Sequence, residues 1–327
     1  VVGVAMASLG FGVGALVGQQ ILYYLVLMAV LFLTVPWRPR VVFALERVES
    51  MFRFGWKLLC ASLVDTLFTN LYGLVVGKIY DETTMGIYSR GEQFPKLIVT
   101  NLGTAIQAVM LPALSARQTH PDQVVSLLRR AIKTSVFLVL PMMAGLAAAA
   151  DNLVLVLLGE KWMACVPFLQ ISCLAYAVYP MDIANLQALN AMGRSDVFLK
   201  LEIAKKVVGV VILLLSMRCG AAAFIAWKAA GDFLCTFINA WPNQRLLGYH
   251  ISQMWRDILP SLAVSLLMGM IVYAGRFVLP AGIVGLAGQV ALGVGVYLFL
   301  SWIFKLESFR YLWGIVWEKL SGNMYRQ

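Results

Sequence analysis

Met85–Pro112 reads MGIYSRGEQFPKLIVTNLGTAIQAVMLP. As a helix, its 28 residues extend roughly 42 Å, against about 30 Å of bilayer hydrocarbon. At about 100° per residue, Ser89, Arg90, Glu92, Gln93, Lys96, Thr100, Asn101, Thr104 and Gln107 share one half of the wheel. Ile87, Tyr88, Phe94, Ile98, Val99, Leu102, Ala105, Ile106 and Val109 fill the other. Leu97 and Gly103 fall among the polar half. Three charges are costly in lipid, so that half is expected to face water or another helix. Pro95 removes an amide donor and its ring opposes the Gly91 carbonyl, which predicts a kink near the charges. A surface helix of a soluble protein would give the same wheel; the rest of the chain argues against it.

Of 327 residues, 61% are hydrophobic and only 13% charged. Soluble domains run nearer 45–50% and about 25%. The apolar residues gather in runs of about twenty, the mark of a polytopic helical membrane protein. A net charge of +10 would suggest nucleic acid in a soluble chain. Here it is expected to lie in cytoplasmic loops, and no nucleic-acid partner follows. The five cysteines form no CxxC pair, and His120 and His250 are far apart. Neither disulfides, a metal site nor a cofactor is expected.

Outward from the opening stretch, Val1–Leu9 reads as the tail of a span and Leu16–Val35 as the first complete one. Residues 41–55 read as an interfacial helix. Further spans are expected at about 56–78, 131–150, 164–189 (interrupted by Pro180), 199–217, 220–240, 258–277 and 282–303. Asn152–Gly159 reads as a short apolar loop and 305–327 as an interfacial amphipathic tail, with Phe309, Leu312, Trp313, Val316 and Leu320 on one face. No signal peptide is visible, and the chain opens at Val1 inside an apolar run, so a longer parent is expected.

Of the 26 Lys and Arg, Arg90, Lys96 and Lys228 fall well inside spans, and Lys78, Lys161, Arg218 and Arg276 lie in the loops and adjoining helix ends of one side. The remaining 19 lie in the loops and adjoining helix ends of the other, which the asymmetry makes cytoplasmic, with the C-terminus.

Beyond the opening stretch, three spans carry Asp65, Asp182 and Asp232, which are candidate ion-coupling residues. Lys228 and Asp232 are four apart and can pair; so can Glu92 and Lys96, which would leave Arg90 as a surplus cation with Asn101 three turns below. Arg90, Lys96, Gln93, Asn101 and Glu92 are therefore the candidate substrate-binding set. No GxSxG, HExxH or Walker A run is present, and the extramembrane loops are short. This speaks against an enzyme.

Arg53–Leu97 (RFGWKLLCASLVDTLFTNLYGLVVGKIYDETTMGIYSRGEQFPKL) and Leu157–Gly209 resemble the oligosaccharide flippase family of polysaccharide export. The specific clusters are Gly77-Lys78-Ile79-Tyr80, Ser89-Arg90-Gly91-Glu92-Gln93-Phe94 and Gly159-Glu160-Lys161-Trp162. The likeness is closest to the branch associated with colanic-acid-like and teichuronic-acid-like exopolysaccharides. It implies an all-α, fourteen-helix, two-lobed transporter of undecaprenyl-diphosphate-linked oligosaccharides in a bacterial inner membrane, working by alternating access. By that resemblance, residues 1–40 end the first lobe, 41–245 form the second six-helix lobe, 246–304 two additional helices and 305–327 a cytoplasmic tail. About four leading helices of the family pattern are missing. Membrane lipids, a polysaccharide polymerase and chain-length machinery are the implied partners. The alternatives are a drug/cation antiporter of the same superfamily, a membrane glycan polymerase or ligase, and a non-transporting assembly subunit.

Overall fold

The computed structural model describes residues 14–34, 81–118 and 120–320, with scattered positions among 6–12 and 63–79. The chain divides into two compact units, Val1–Asp65 and Thr66–Gln327. The first contains α1 (Gly14–Thr34), an apolar helix long enough to cross a membrane over Val17–Thr34. Asp65 and the interfacial helix expected over 41–55 lie outside the described residues. The scattered positions between 63 and 79 are helical.

In the second unit every regular element among the described residues is a helix: α2 (Glu82–Ser115), α3 (Pro121–Ala148), α4 (Ala150–Leu157), a 3-10 turn (Glu160–Cys165), α5 (Val166–Tyr176), α6 (Tyr179–Ala191), α7 (Ser195–Ser216), α8 (Ala221–Leu247), α9 (Ile251–Gly275), α10 (Ile283–Ile303) and α11 (Glu307–Leu320). Across the described residues, six stretches are long and apolar enough to cross a membrane: one each in α1, α2, α3, α9 and α10, and the broken pass Glu160–Ala191. The polytopic all-α bundle is thus borne out. Helices α7 and α8 are long enough at 22 and 27 residues. They fall outside those six; α7 carries Lys200, Glu202, Lys205 and Lys206 close together.

Local chemistry sets several of these boundaries. Asp81 caps α2 by accepting the Thr84 amide hydrogen at 2.7 Å, the usual use of Asp before a helix. Hydrogen bonds from Thr84 hold the Asp81 carboxyl below the usual carboxylate range. The expected interruption near Pro180 is real. Helices α5 and α6 are separated at 177–178, with Pro180 in the first turn of α6, where its missing amide costs nothing. With 11 and 13 residues, each is too short to span alone.

One expectation is corrected. The loop expected at 152–159 is mostly helix, α4, turning directly off α3 at Ala149. Burial of Asn152 and Val154 gives that segment a packed face, and the Asn152 amide donates to Gln289 Oε1 of α10 at 2.9 Å.

The core is built around α3. Its Leu128, Ile132, Val136 and Leu140 pack with residues of α2, α6, α8 and α9, its Val139 and Met143 with α2, α4 and α5, and Phe137 with α9, α10 and α11. Polar ties flank it. In its first half, Arg129 and Lys133 bind Asp257 of α9, and Lys133 reaches Glu307 of α11 at 2.7 Å. Beyond its C-terminal end, Asp151 meets Arg276 at 3.1 Å.

Candidate functional site

Helix α2 has two distinct sides. Tyr88, Gly91, Pro95, Val99, Gly103, Met110 and Leu114 are buried, repeating at three- and four-residue steps as one helix face must. Gly91 lies against the backbone of its neighbours. A Cβ there would lie 2.9 Å from the Cys165 carbonyl oxygen and 2.9 Å from the Leu169 amide nitrogen, so α2 and α5 touch backbone to backbone. On the other side Arg90, Gln93, Lys96, Thr100, Asn101, Thr104 and Gln107 are all exposed. A stripe of that polarity along a membrane-crossing helix is costly against acyl chains and belongs on a wet surface.

The stripe is held in place locally. Arg90 Nη1 donates to Gln93 Oε1 at 2.9 Å, and its guanidinium lies 5.6 Å from the Trp162 ring centroid in cation–π range. Trp162 sits on the 3-10 turn. The Ser-Arg-Gly-Glu-Gln-Phe and Gly-Glu-Lys-Trp clusters, 68 residues apart from Phe94 to Trp162, therefore meet in space. Thr100 and Asn101 satisfy a donor each on their own helix, at the Lys96 and Leu97 carbonyls.

Glu92 is placed differently from the sequence reading. Its side chain is only 16% exposed and pairs with Lys228 of α8 at 3.2 Å, not with Lys96. Tyr176 of α5 donates its hydroxyl to the same Glu92 oxygen at 3.0 Å. The physical reason is angular: two residues past Arg90, position 92 lies about 200° round the helix, on the packed side. The expected Lys228–Asp232 contact forms at 3.6 Å, so Lys228 sits between two carboxylates. Arg90 and Lys96 consequently have no ion-pair partner among the described residues, and two cations, rather than one, stand uncompensated on the open stripe.

Asp182 opens α6 and accepts from Thr236 Oγ1 at 3.1 Å and Asn239 Nδ2 at 3.0 Å, both on α8. One turn on, Asn243 donates to Asn185 Oδ1 at 2.8 Å. Asp182 thus joins a polar ladder between α6 and α8 and does not reach the α2 stripe through any of these bonds. Asp232 is on the Glu92–Lys228 cluster, and Asp65 lies outside the described residues. The sequence reading gave Tyr176 no role and placed Trp162 only within the Gly-Glu-Lys-Trp cluster of the resemblance.

The comparisons with known proteins agree with this architecture. Relatives include the teichuronic acid biosynthesis protein TuaB of Bacillus subtilis, 24% identical over 81% of this chain and 56% of its own length. The succinoglycan biosynthesis transport protein ExoT of Rhizobium meliloti is 25% identical over 60% and 40%. The lipopolysaccharide biosynthesis protein WzxC of Escherichia coli is 26% identical over 72% and 50%. The chain therefore spans about half the length of the curated relatives it matches. Among solved structures, the lipid II flippase MurJ in an inward closed conformation superposes with a TM-score of 0.73 at 15% identity, over 93% of this chain and 64% of that one. That likeness carries the fold, a flippase-type helical membrane bundle. Residues 1–167 match the model of the polysaccharide biosynthesis protein family, and the chain, a multi-pass membrane protein, belongs to that family.

Proposed function

We propose that this chain is the second lobe, with two additional helices, of a flippase that carries undecaprenyl-diphosphate-linked oligosaccharide repeat units from the cytoplasmic to the outer leaflet of a bacterial inner membrane. One observation carries the reading: the exposed polar side of α2, with two cations that have no ion-pair partner among the described residues. A lipid diphosphate is the cargo group that such cations suit. Arg90 and Lys96 bind it, Gln93 orients Arg90, and Asn101 lies along the path of the sugars. Glu92 serves as an anchor on the packed side. The cycle is alternating access, with the lobes rocking about the bound headgroup and no covalent chemistry. The Lys and Arg asymmetry supports a cytoplasmic C-terminus. On the same reading residues 1–40 end the first lobe, 41–245 form the second, 246–304 the extra helices and 305–327 the tail, with polymerase and chain-length proteins acting downstream.

A drug/cation antiporter fits less well. A cationic cargo would meet Arg90 and Lys96 on the open side, while Glu92 is engaged by Lys228. Coupling to an ion gradient falls to Asp65, Asp182 or Asp232. Asn substitutions at all three that leave gradient-dependent transport unchanged would dismiss it.

The test is Arg90→Ala in the full-length parent, expressed in a strain lacking its flippase. Loss of polysaccharide export at normal membrane abundance is expected. Full rescue would remove Arg90 from the site.

A further inference from the structure

Where α10 turns into α11 there is an open groove of about 920 Å³ that the transport reading leaves unused. Its wall is apolar: Trp302 and Ile303 from the last turn of α10, Phe309 and Trp313 from α11. The Phe309 and Trp313 rings stack at 5.9 Å, and Trp302 and Trp313 are well exposed. Its rim is cationic. Lys305 and Arg310 line the groove, are exposed, and have no carboxylate partner among the described residues. The nearest acid in sequence, Glu307, is engaged by Lys133 at 2.7 Å. Lys305 has φ 49°, the left-handed position after a helix end where a glycine is usual because a Cβ is crowded there.

The depth of the groove follows from its neighbours. Helix α10 is a membrane-crossing stretch and α11 is an amphipathic helix that follows it directly, so the corner lies at the water–hydrocarbon boundary, where Trp collects. The site is also firmly built. Phe309 packs on Phe137 of α3, Lys133 holds Glu307, and the Arg130 guanidinium lies 5.3 Å from the Tyr311 ring centroid.

We propose that this groove binds an anionic phospholipid of the surrounding leaflet. An acyl chain lies against Trp302, Phe309 and Trp313, and the phosphate is held by Lys305 and Arg310. Charge complementarity selects the occupant: a zwitterionic lipid brings its own cation to two that are already unneutralised, and free phosphate leaves the aromatic wall wet. The proposal does not depend on the transport reading or on which leaflet the corner faces.

The experiment is native mass spectrometry of the chain released from nanodiscs of phosphatidylcholine containing increasing phosphatidylglycerol. Saturable retention of one phosphatidylglycerol over phosphatidylcholine is expected. Lys305→Gln with Arg310→Gln should weaken it roughly 30-fold, from about a factor of five per cation near a membrane surface. Gly314→Phe tests the wall without changing charge. Gly314 lines the groove, and a Cβ there meets nothing within 4 Å, so the ring enters open space and excludes the acyl chain while far-UV circular dichroism stays unchanged. Equal retention of the two lipids overturns the proposal, as does wild-type retention by both variants. Weakening by the charge variant alone would mean diffuse surface attraction, and displacement by inorganic phosphate would mean an anion site without a lipid groove; either also overturns it.

Discussion

Lys228→Met is the most informative perturbation of the α2 site, because it tests both what holds the helix and what leaves its cations free. Lys228 lies 3.2 Å from Glu92 and 3.6 Å from Asp232. The Lys228 and Glu92 side chains are 19% and 16% exposed, Asp232 50%. Removing one partner of a fully buried pair costs about 3–5 kcal/mol. Partial exposure puts Lys228→Met near the bottom of that range, about 3 kcal/mol, with the half-solvated Asp232 adding at most about 0.5 kcal/mol. Glu92→Gln leaves Lys228 its second carboxylate and should cost about 2 kcal/mol. The double variant has no stranded charge at this contact, and the amide oxygen brought in by Glu92→Gln still accepts from the Tyr176 hydroxyl; about 2 kcal/mol is expected, a coupling of roughly 3 kcal/mol. Unfolding of the purified protein by sodium dodecyl sulfate, followed by far-UV circular dichroism, measures all three. A functional arm runs in parallel. Without Lys228 the Glu92 carboxylate is free to turn to Lys96, four residues on, so under the proposed function export should fall and recover in the double variant. Additive single effects, with coupling below about 0.5 kcal/mol, would mean that the Glu92–Lys228 pair does not tie α2 to α8.

Further outcomes follow from packing. Asp257→Asn loosens the tie among α3, α9 and α11, since the Asp257 side chain is 6% exposed and binds Arg129, Lys133 and Tyr249; about 2–3 kcal/mol is expected by the same unfolding assay. Lys133→Met should cost less, because Arg129 remains on Asp257. Gly91→Ala must move backbone at Cys165 or Leu169 and should lose about 1–3 kcal/mol. Gly86→Ala, whose Cβ meets nothing within 4 Å, should instead gain about 0.5–1 kcal/mol from helix propensity. Asn152→Ala leaves the buried Gln289 without its partner across α4 and α10 and should cost about 0.6–1.7 kcal/mol, the span seen for hydrogen bonds between membrane helices.

How far the sequence carried the site depends on whether a feature is periodic or tertiary. Arg90, Gln93, Lys96 and Asn101 were legible because a helix repeats every 3.6 residues and their exposure follows that period. The α5–α6 break was legible because Pro180 imposes it. Helix α4 was not, since its packed face is set by distant partners: Gln289, 137 residues on, for Asn152, and residues of α2, α3 and α5 for Ala150 and Val154. Glu92 was misplaced for a related reason. Polarity grouped it with Arg90, but its partner Lys228 is 136 residues away, and no local pattern encodes that contact. The run Arg90-Gly91-Glu92 makes the consequence clear. At about 100° per residue, Gly91 allows the close contact with α5, Glu92 turns into the bundle and Arg90 turns out of it. The positions able to neutralise Arg90 one turn along are 93 and 94, which are Gln and Phe. Lys96 does have an acid one turn back, Glu92, but that carboxylate pairs with Lys228 instead. The open charge on α2 is thus set as much by a lysine on α8 as by the cations themselves.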